Sequence, residues 1–425
     1  MDWSTNALRE AARKGDYGRV VKISRTARKV SQRQLGEACG LSQSAVSRLE
    51  GRGNASYDMA QLARVAAHLK IPARLVGLAE HMAMPAAPED GTEDVERREF
   101  LAGTAAAVTS PALAALGGTP AHADADTAAG GRAAALRLAT SAYRRMDGTT
   151  SSRRLSEAVQ AHLRLTQAVA GDARGGQRAR LAAVGSEAAS FAGWLAWDMG
   201  DYGSARTWYG TAVSAARNAG DPLLSAYQVG SLAQFESYAG NAQQGLSLVD
   251  AARHHLGADG PGIADAWLAT VEALAHAAGG DRHRCERALG RAARSAERIP
   301  TGETPPWPWV FSFSAAKVAA ARITCGARLG LAGWVFGAQD EAAPVWSSGH
   351  DKARALHVLD IASAHLAAGR PDAAFMLGAQ AVETGVRYRS GRIIERARAL
   401  RRSFSSSSLP RVVRDFDDRL YGVYL

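Results

Sequence analysis

The residue types that most often do chemistry are present in this chain but are not assembled. His283 and Cys285 stand two apart and His254 adjoins His255, yet neither pair belongs to the spaced cluster that a metal needs. His350, His357 and His365 fall near one side of a single helical segment. There they could line a groove, respond to pH, or serve as ordinary packing residues. Cys39, Cys285 and Cys325 are far apart and form no C-x-x-C pair, which argues against a disulfide framework or a cysteine zinc site and fits a reducing cytoplasm. No H-E-x-x-H, G-x-S-x-G, phosphate-binding loop or dinucleotide fingerprint occurs, and no pair of carboxylates is set apart as acid and base. The expectation is a protein that is not an enzyme, with no catalytic residue, no metal and no cofactor.

What is concentrated is positive charge. Residues 1–82 hold ten Arg and four Lys against three Asp and four Glu, a balance of +7 within a total of +10. A small basic unit on a nearly neutral body reads as a polyanion-binding module, with a merely solvated basic surface as the plainer alternative. The 425 residues suggest two or three domains. With 47% hydrophobic and 22% charged residues, collagen-like, coiled-coil and wholly disordered chains are excluded. The absence of any stretch of 18 strongly apolar residues argues against a membrane span. The excess of alanine, and of arginine over lysine, suggests a GC-rich bacterial genome.

Five short helical patterns fill residues 16–79, marked by Val20, Val21 and Ile23; Leu35 and Ala38; Val46 and Leu49; Leu62, Val65 and Ala66; and Leu75 and Leu78. Ser31 and Ser42 stand as N-caps of the second and third, and Pro72 opens the fifth. Residues 31–52 read SQRQLGEACGLSQSAVSRLEGR. Two helices crossing steeply need a small residue where they touch, which Gly36 supplies, and a turn residue tolerant of positive φ, which Gly40 supplies. Leu35, Cys39, Leu41, Val46 and Leu49 would form the shared core. All seven positions suit a helix-turn-helix.

This region resembles the phage-repressor-type helix-turn-helix of the xenobiotic-response-element (XRE) family of bacterial regulators, over about residues 16–79. The resemblance implies a five-helix domain whose third helix enters the major groove. It implies base reading by Gln43, Ser44 and Arg48; glutamine suits adenine and arginine suits guanine. It further implies phosphate or register contacts from Gln32, Ser42, Ser47, Arg52, Asn54 and Ser56, and a structural ion pair between Arg25 and Glu50. The loop carrying Asn54 and Ser56 holds fewer basic residues than in many relatives.

From residue 135 to 404 apolar helices alternate with small-residue turns. MGDY (199–202), AGNA (239–242) and GGDR (279–282) recur at 40 residues, and AGRP (368–371) follows as a poorer copy. Each second helix carries a small residue, usually a larger one four positions on, then Ala: Ala205/Tyr209/Ala212, Gly245/Val249/Ala252, Cys285/Leu289/Ala292 and, more weakly, Ala374/Gly378/Ala381. Such a period means stacked helix pairs. With Gly193, the first set resembles a tetratricopeptide repeat, whose usual period of about 34 is shorter. Trp194, Trp197, Tyr227, Tyr238 and Trp267 form an aromatic stripe along the first helices of these units, either a candidate effector groove or, more plainly, core. The segment PPWPWVFSF (305–313) adds further aromatics.

The expected architecture is all-α: an N-terminal extension (1–15), a five-helix helix-turn-helix domain (16–82), a linker (83–134), a tetratricopeptide-like α-solenoid (135–404) and a C-terminal tail helix (405–425). Within the linker, residues 97–116 join two arginines to an apolar run, either a docked helix or a twin-arginine export signal. The expected function is a cytoplasmic, nucleoid-associated, sequence-specific transcriptional regulator with no membrane role. Its expected partners are double-stranded operator DNA, a second copy in a homodimer, and a peptide, protein or small-molecule effector. The alternatives are a helical-repeat scaffold whose DNA binding is incidental and an exported protein.

Overall fold

The computed structural model of the chain describes residues 3, 5–53, 59–72, 75, 76, 125–258, 260–300, 313–346, 349–406 and 408–423. All regular elements among the described residues are helical, as the sequence predicts. The apolar run at 97–116 and the aromatic segment up to Ser312 lie outside them.

The N-terminal bundle comprises α1 (Asn6–Lys14), α2 (Tyr17–Ala27), α3 (Gln32–Cys39), α4 (Gln43–Glu50) and α5 (Met59–His68). Leu8, Val20, Val21, Leu35, Val46, Leu62 and Val65 form one buried core with Cys39 and Leu49. The first helix falls before the boundary drawn at residue 16. Leu8, Ala11 and Ala12 recur at three- and four-residue spacing, so α1 presents an apolar stripe to this core. Of the last sequence-marked helix, Leu75 packs on the core and Val76 is buried, while Leu78 lies outside the described residues.

The body is a stack of helices that opens with α6 (Ala125–Met146) and α7 (Ser152–Gly171), which meet at Thr140 and His162, and continues with the pairs α8 (Gly176–Asp198) with α9 (Tyr202–Ala219) and α10 (Pro222–Ala239) with α11 (Ala242–Leu256). Then come α12 (Gly262–Ala278) with α13 (Arg282–Glu297), and α14 (Ala315–Leu329) with the short α15 (Ala332–Gly337) and α16 (Gln339–Trp346). The last pair is α17 (Asp351–Ala367) with α18 (Pro371–Tyr388), followed by α19 (Gly391–Arg402) and α20 (Arg411–Leu420). The small/large/small sets are buried throughout, including Ala205, Tyr209 and Ala212. Tyr209 lies over Gly193, where a Cβ would sit 3.1 Å from its ring.

The recurring turns share one device. Gly200, Gly240, Gly280 and Gly369 take positive φ, and the next residue's N–H returns to a carbonyl of the preceding helix at 2.9 Å. Gly330–Leu331 makes the same turn, bonding to the Gly326 carbonyl. This is the repeat missing between GGDR and AGRP. Its helix pair is preceded by a longer connection, which puts Gly330 50 residues after Gly280 and so breaks the 40-residue spacing, and its second helix is broken at Ala338. The tail helix covers the last pair: Val413 and Phe416 are buried, and Phe416 packs on Phe375 with ring centroids 5.1 Å apart.

The two ends of this array touch. Gly391, opening α19, lies against the turn after α8, where a Cβ would sit 2.4 Å from the Met199 carbonyl oxygen. Beneath it is a buried charge cluster. Lys352 Nζ donates to Asp147 Oδ1 (2.6 Å), Ser152 Oγ (2.9 Å) and Asp198 Oδ2 (3.2 Å). Asp198 also accepts from Ser152 (2.7 Å) and Ser390 (2.7 Å), and Asp147 accepts from Trp194 Nε1 (2.7 Å). The Lys352 side chain is 1% exposed and that of Asp198 is 0% exposed. Burial would raise the Asp147 carboxyl, but His350 and Lys352 hold it well below the usual carboxylate range.

Two predictions follow from this packing. Lys352→Ala strands two buried carboxylates and lowers unfolding stability by roughly 3–5 kcal/mol in urea titrations; a loss under 1 kcal/mol contradicts the cluster's role. His276, His357 and His365 are all shifted down, first by burial; at His357 Asp360 opposes the shift while Arg396 and Arg392 add to it. Groups with lowered histidine pKa values stabilise the fold above their unfolded value and lose that contribution as pH falls through the folded one. Melting temperature therefore drops on going from pH 7 to pH 5, and His357→Leu makes the drop smaller.

Candidate nucleic-acid interface

The third helix of the sequence-marked motif, α4, is short and firmly held. Ser42 caps it, accepting from the Ala45 N–H at 3.1 Å, and Ser31 forms a reciprocal capping box with Gln34 at the start of α3. Gly40 ends α3 at φ +66°, as the sequence predicts. Gly36 meets the following turn so closely that a Cβ would lie 2.5 Å from the Leu41 carbonyl oxygen. Gly18 does the same for α2 against the Leu49 carbonyl, at 2.1 Å, a close approach the sequence reading did not assign.

One carboxylate joins three helices. Glu50, at the end of α4, accepts from Arg25 Nε (2.6 Å) and Nη2 (3.1 Å) on α2, and from Gln32 Nε2 (2.8 Å) on α3. Arg25 Nη1 donates to the Val30 carbonyl at 2.7 Å and so ties down the loop before α3. The Glu50 side chain is only 3% exposed, and hydrogen bonding to it raises the Arg25 pKa further. Gln32 is thus part of the ion-pair network in this structure.

Against this fixed inner side, α4 turns Gln43, Ser44, Ser47 and Arg48 outward, all exposed, while Val46, Leu49 and Glu50 are buried. The spacing 43/47 and 44/48 puts these four on one face. Ser42 Oγ and Ser44 Oγ share a hydrogen bond of 3.0 Å. Arg52 is exposed just beyond the helix, and Asn54 and Ser56 lie outside the described residues. An amide, two hydroxyls and a guanidinium on one rigid face form the donor and acceptor set that base edges and phosphates can use.

The aromatic stripe does not line a single groove. Trp197 is buried against Trp194 (5.2 Å, edge to face), Phe235 (5.8 Å) and Tyr238 (5.0 Å), whereas Tyr227 stacks on Trp267 in a separate cluster at 5.4 Å. Arg392 lies over both Trp194 and Trp197 at 4.5 Å. At helical spacing in a stack of pairs, these rings fill the spaces between helices. Neither His283 and Cys285 nor the other histidines belong to a metal-holding group among the described residues.

Family models give no match to this chain, and neither do the curated proteins. Among solved structures it matches that of Bacillus thuringiensis PlcR in complex with the peptide PapR7 and DNA, at 15% identity and a TM-score of 0.33, over 80% of this chain and 98% of that one. At that distance the likeness adds nothing to the site's own geometry.

Glu50→Ala leaves the mostly enclosed Arg25 without its partner and frees the end of α4. The expected result is a loss of about 3–5 kcal/mol from the stability of the N-terminal bundle, read as earlier proteolysis or amide exchange of residues 17–50 while the helical stack stays protected. Unchanged exchange of α4 would contradict this account.

Proposed function

We propose that the chain is a sequence-specific DNA-binding transcriptional regulator of the phage-repressor type, with α4 as its recognition helix. One observation carries the reading: Gln43, Ser44, Ser47 and Arg48 stand exposed on one face of a helix whose opposite face is locked by core residues and by Glu50. Gln43 and Arg48 read base edges with Ser44, while Ser42, Ser47, Arg52 and the following loop with Asn54 and Ser56 contact phosphates. Gln32, in reach of Glu50, sets the register of α3 on the backbone. The charge balance of +7 in residues 1–82 supplies the non-specific attraction.

One recognition helix addresses too few bases for a confident site, so the regulator works as a homodimer on a near-palindromic operator, its two α4 helices about 34 Å apart. The helical stack holds the dimer and receives an effector. The reading places the protein in the cytoplasm. No helix among the described residues is long and apolar enough to cross a membrane.

The test is binding of the purified protein to fragmented genomic DNA at near-physiological salt, beside the Gln43→Ala/Arg48→Ala double variant. Enrichment of a few palindromic fragments is expected, with affinity for them falling at least about thirtyfold in the variant. Both side chains are exposed, so its melting curve stays that of the wild type. Uniform, salt-dominated binding that the variant leaves unchanged would overturn the proposal and favour a scaffold.

A further inference from the structure

The N-terminal bundle is seated on the helical stack. Arg13 on α1 donates to the Ala239 carbonyl at the end of α10, and Arg206 on α9 donates to the Arg13 carbonyl (3.2 Å) and the Tyr17 hydroxyl (3.3 Å). Arg206 is itself held by Glu236 at 2.9 Å. At the other edge Arg9 pairs with Glu395 on α19 at 2.8 Å.

Between these contacts lies a cavity of about 1,100 Å³, roughly the size that takes a nucleotide-sized ligand. Its wall contains six arginines, Arg9, Arg13, Arg328, Arg396, Arg398 and Arg402, against three acids, Glu10, Asp201 and Glu395. The acids are already engaged. Glu10 binds Arg13 and Lys14, Glu395 binds Arg9 and Arg398, and Asp201 caps α9 through the Ser204 N–H.

Two of the arginines make no ion pair among the described residues. Arg328 donates only to neutral carbonyls, those of Ser237 and Tyr238, both at 3.1 Å, and its Nε is buried with no hydrogen-bond partner. Arg402 makes no ion pair among the described residues. A guanidinium enclosed without an opposite charge is unfavourable until an anion arrives. Tyr202 and Tyr238 stand in the same wall, and neither hydroxyl makes a hydrogen bond among the described residues. Guanidinium forks beside phenolic donors suit phosphate or carboxylate oxygens, and the rings offer a surface for stacking.

We infer that this cavity binds a small polyanion, a phosphate- or carboxylate-bearing molecule of nucleotide size, bridging the arginines of α1 to Arg328 and Arg402 of the stack. The inference deepens the regulator reading, on which its consequence for DNA rests. A ligand held by both sides tightens the seam and fixes the direction in which α4 is presented.

The experiment is titration calorimetry of the full chain in 150 mM NaCl with ATP, inorganic pyrophosphate and citrate, using adenosine as the uncharged control. Saturable one-to-one binding of at least one polyanion is expected, with none for adenosine. ATP and pyrophosphate against citrate separate phosphate from carboxylate recognition. Arg402→Glu, at an exposed position, weakens binding at least tenfold, and Tyr238→Phe weakens it several-fold, both with wild-type melting. No saturable binding of any of the three, or binding that Arg402→Glu leaves unchanged, overturns the site. The Gln43→Ala/Arg48→Ala variant keeps anion binding. Loss of sequence preference in the wild type with anion binding intact would therefore sink the regulator reading alone.

Discussion

Lys352 and the two carboxylates around it hold the helical array to itself. Asp147 precedes α7, Asp198 ends α8, and Lys352 and Ser390 stand more than 150 residues later at the starts of α17 and just before α19. Three hydrogen bonds to one ammonium satisfy charges that burial would otherwise make prohibitive. Because of them, α19 lies on the turn after α8, close enough that only glycine fits at position 391. That juxtaposition makes the platform for the N-terminal bundle. The turn at Gly200 and Tyr202 forms one side, and Glu395 and Arg398 on α19 form the other.

The two parts of the chain use charge in opposite ways. In the Lys352 cluster, and at Glu50, ions are buried and paired, so they specify geometry rather than recognition. On the outer face of α4 the polar groups are exposed and, apart from the serine pair at its start, uncommitted. A side chain already bound within the protein cannot also be offered to a partner, so the outer face of α4 is where polar groups remain to be given. Gln32 stands between these regimes, half-buried and held by Glu50.

Glycine has a parallel role wherever backbones approach. Gly36 and Gly18 admit the neighbouring helices of the motif, and Gly240 admits the Arg13 guanidinium at the seam. A side chain at Gly36 or Gly18 would run into backbone and force it to move, whereas one at Gly240 would displace the end of Arg13. The N-terminal bundle and its docking therefore depend on the same kind of constraint as the turns of the stack.

Much of this was readable from the chain. The caps at Ser31 and Ser42, the left-handed Gly40, the Leu35/Val46/Leu49 core and the buried 205/209/212 sets are local or periodic patterns, and a helix imposes its period on the sequence. The Arg25–Glu50 contact was implied only by the family resemblance, and the two side chains do meet in the structure. Other features had no such signal. The first helix has a short apolar stripe that lies outside the motif. The turn at Gly330 was hidden by the longer connection before it, which puts it 50 residues after Gly280 instead of 40. The aromatic stripe had helical spacing, which does not distinguish a groove from an interior. The Lys352 cluster and the arginine-lined cavity join residues up to 386 positions apart, as Arg9 and Glu395 are. Periodicity and caps act over a few residues and so are written locally. Which distant charges meet, and which are left without a partner, is settled only when the stacked pairs bring their ends together.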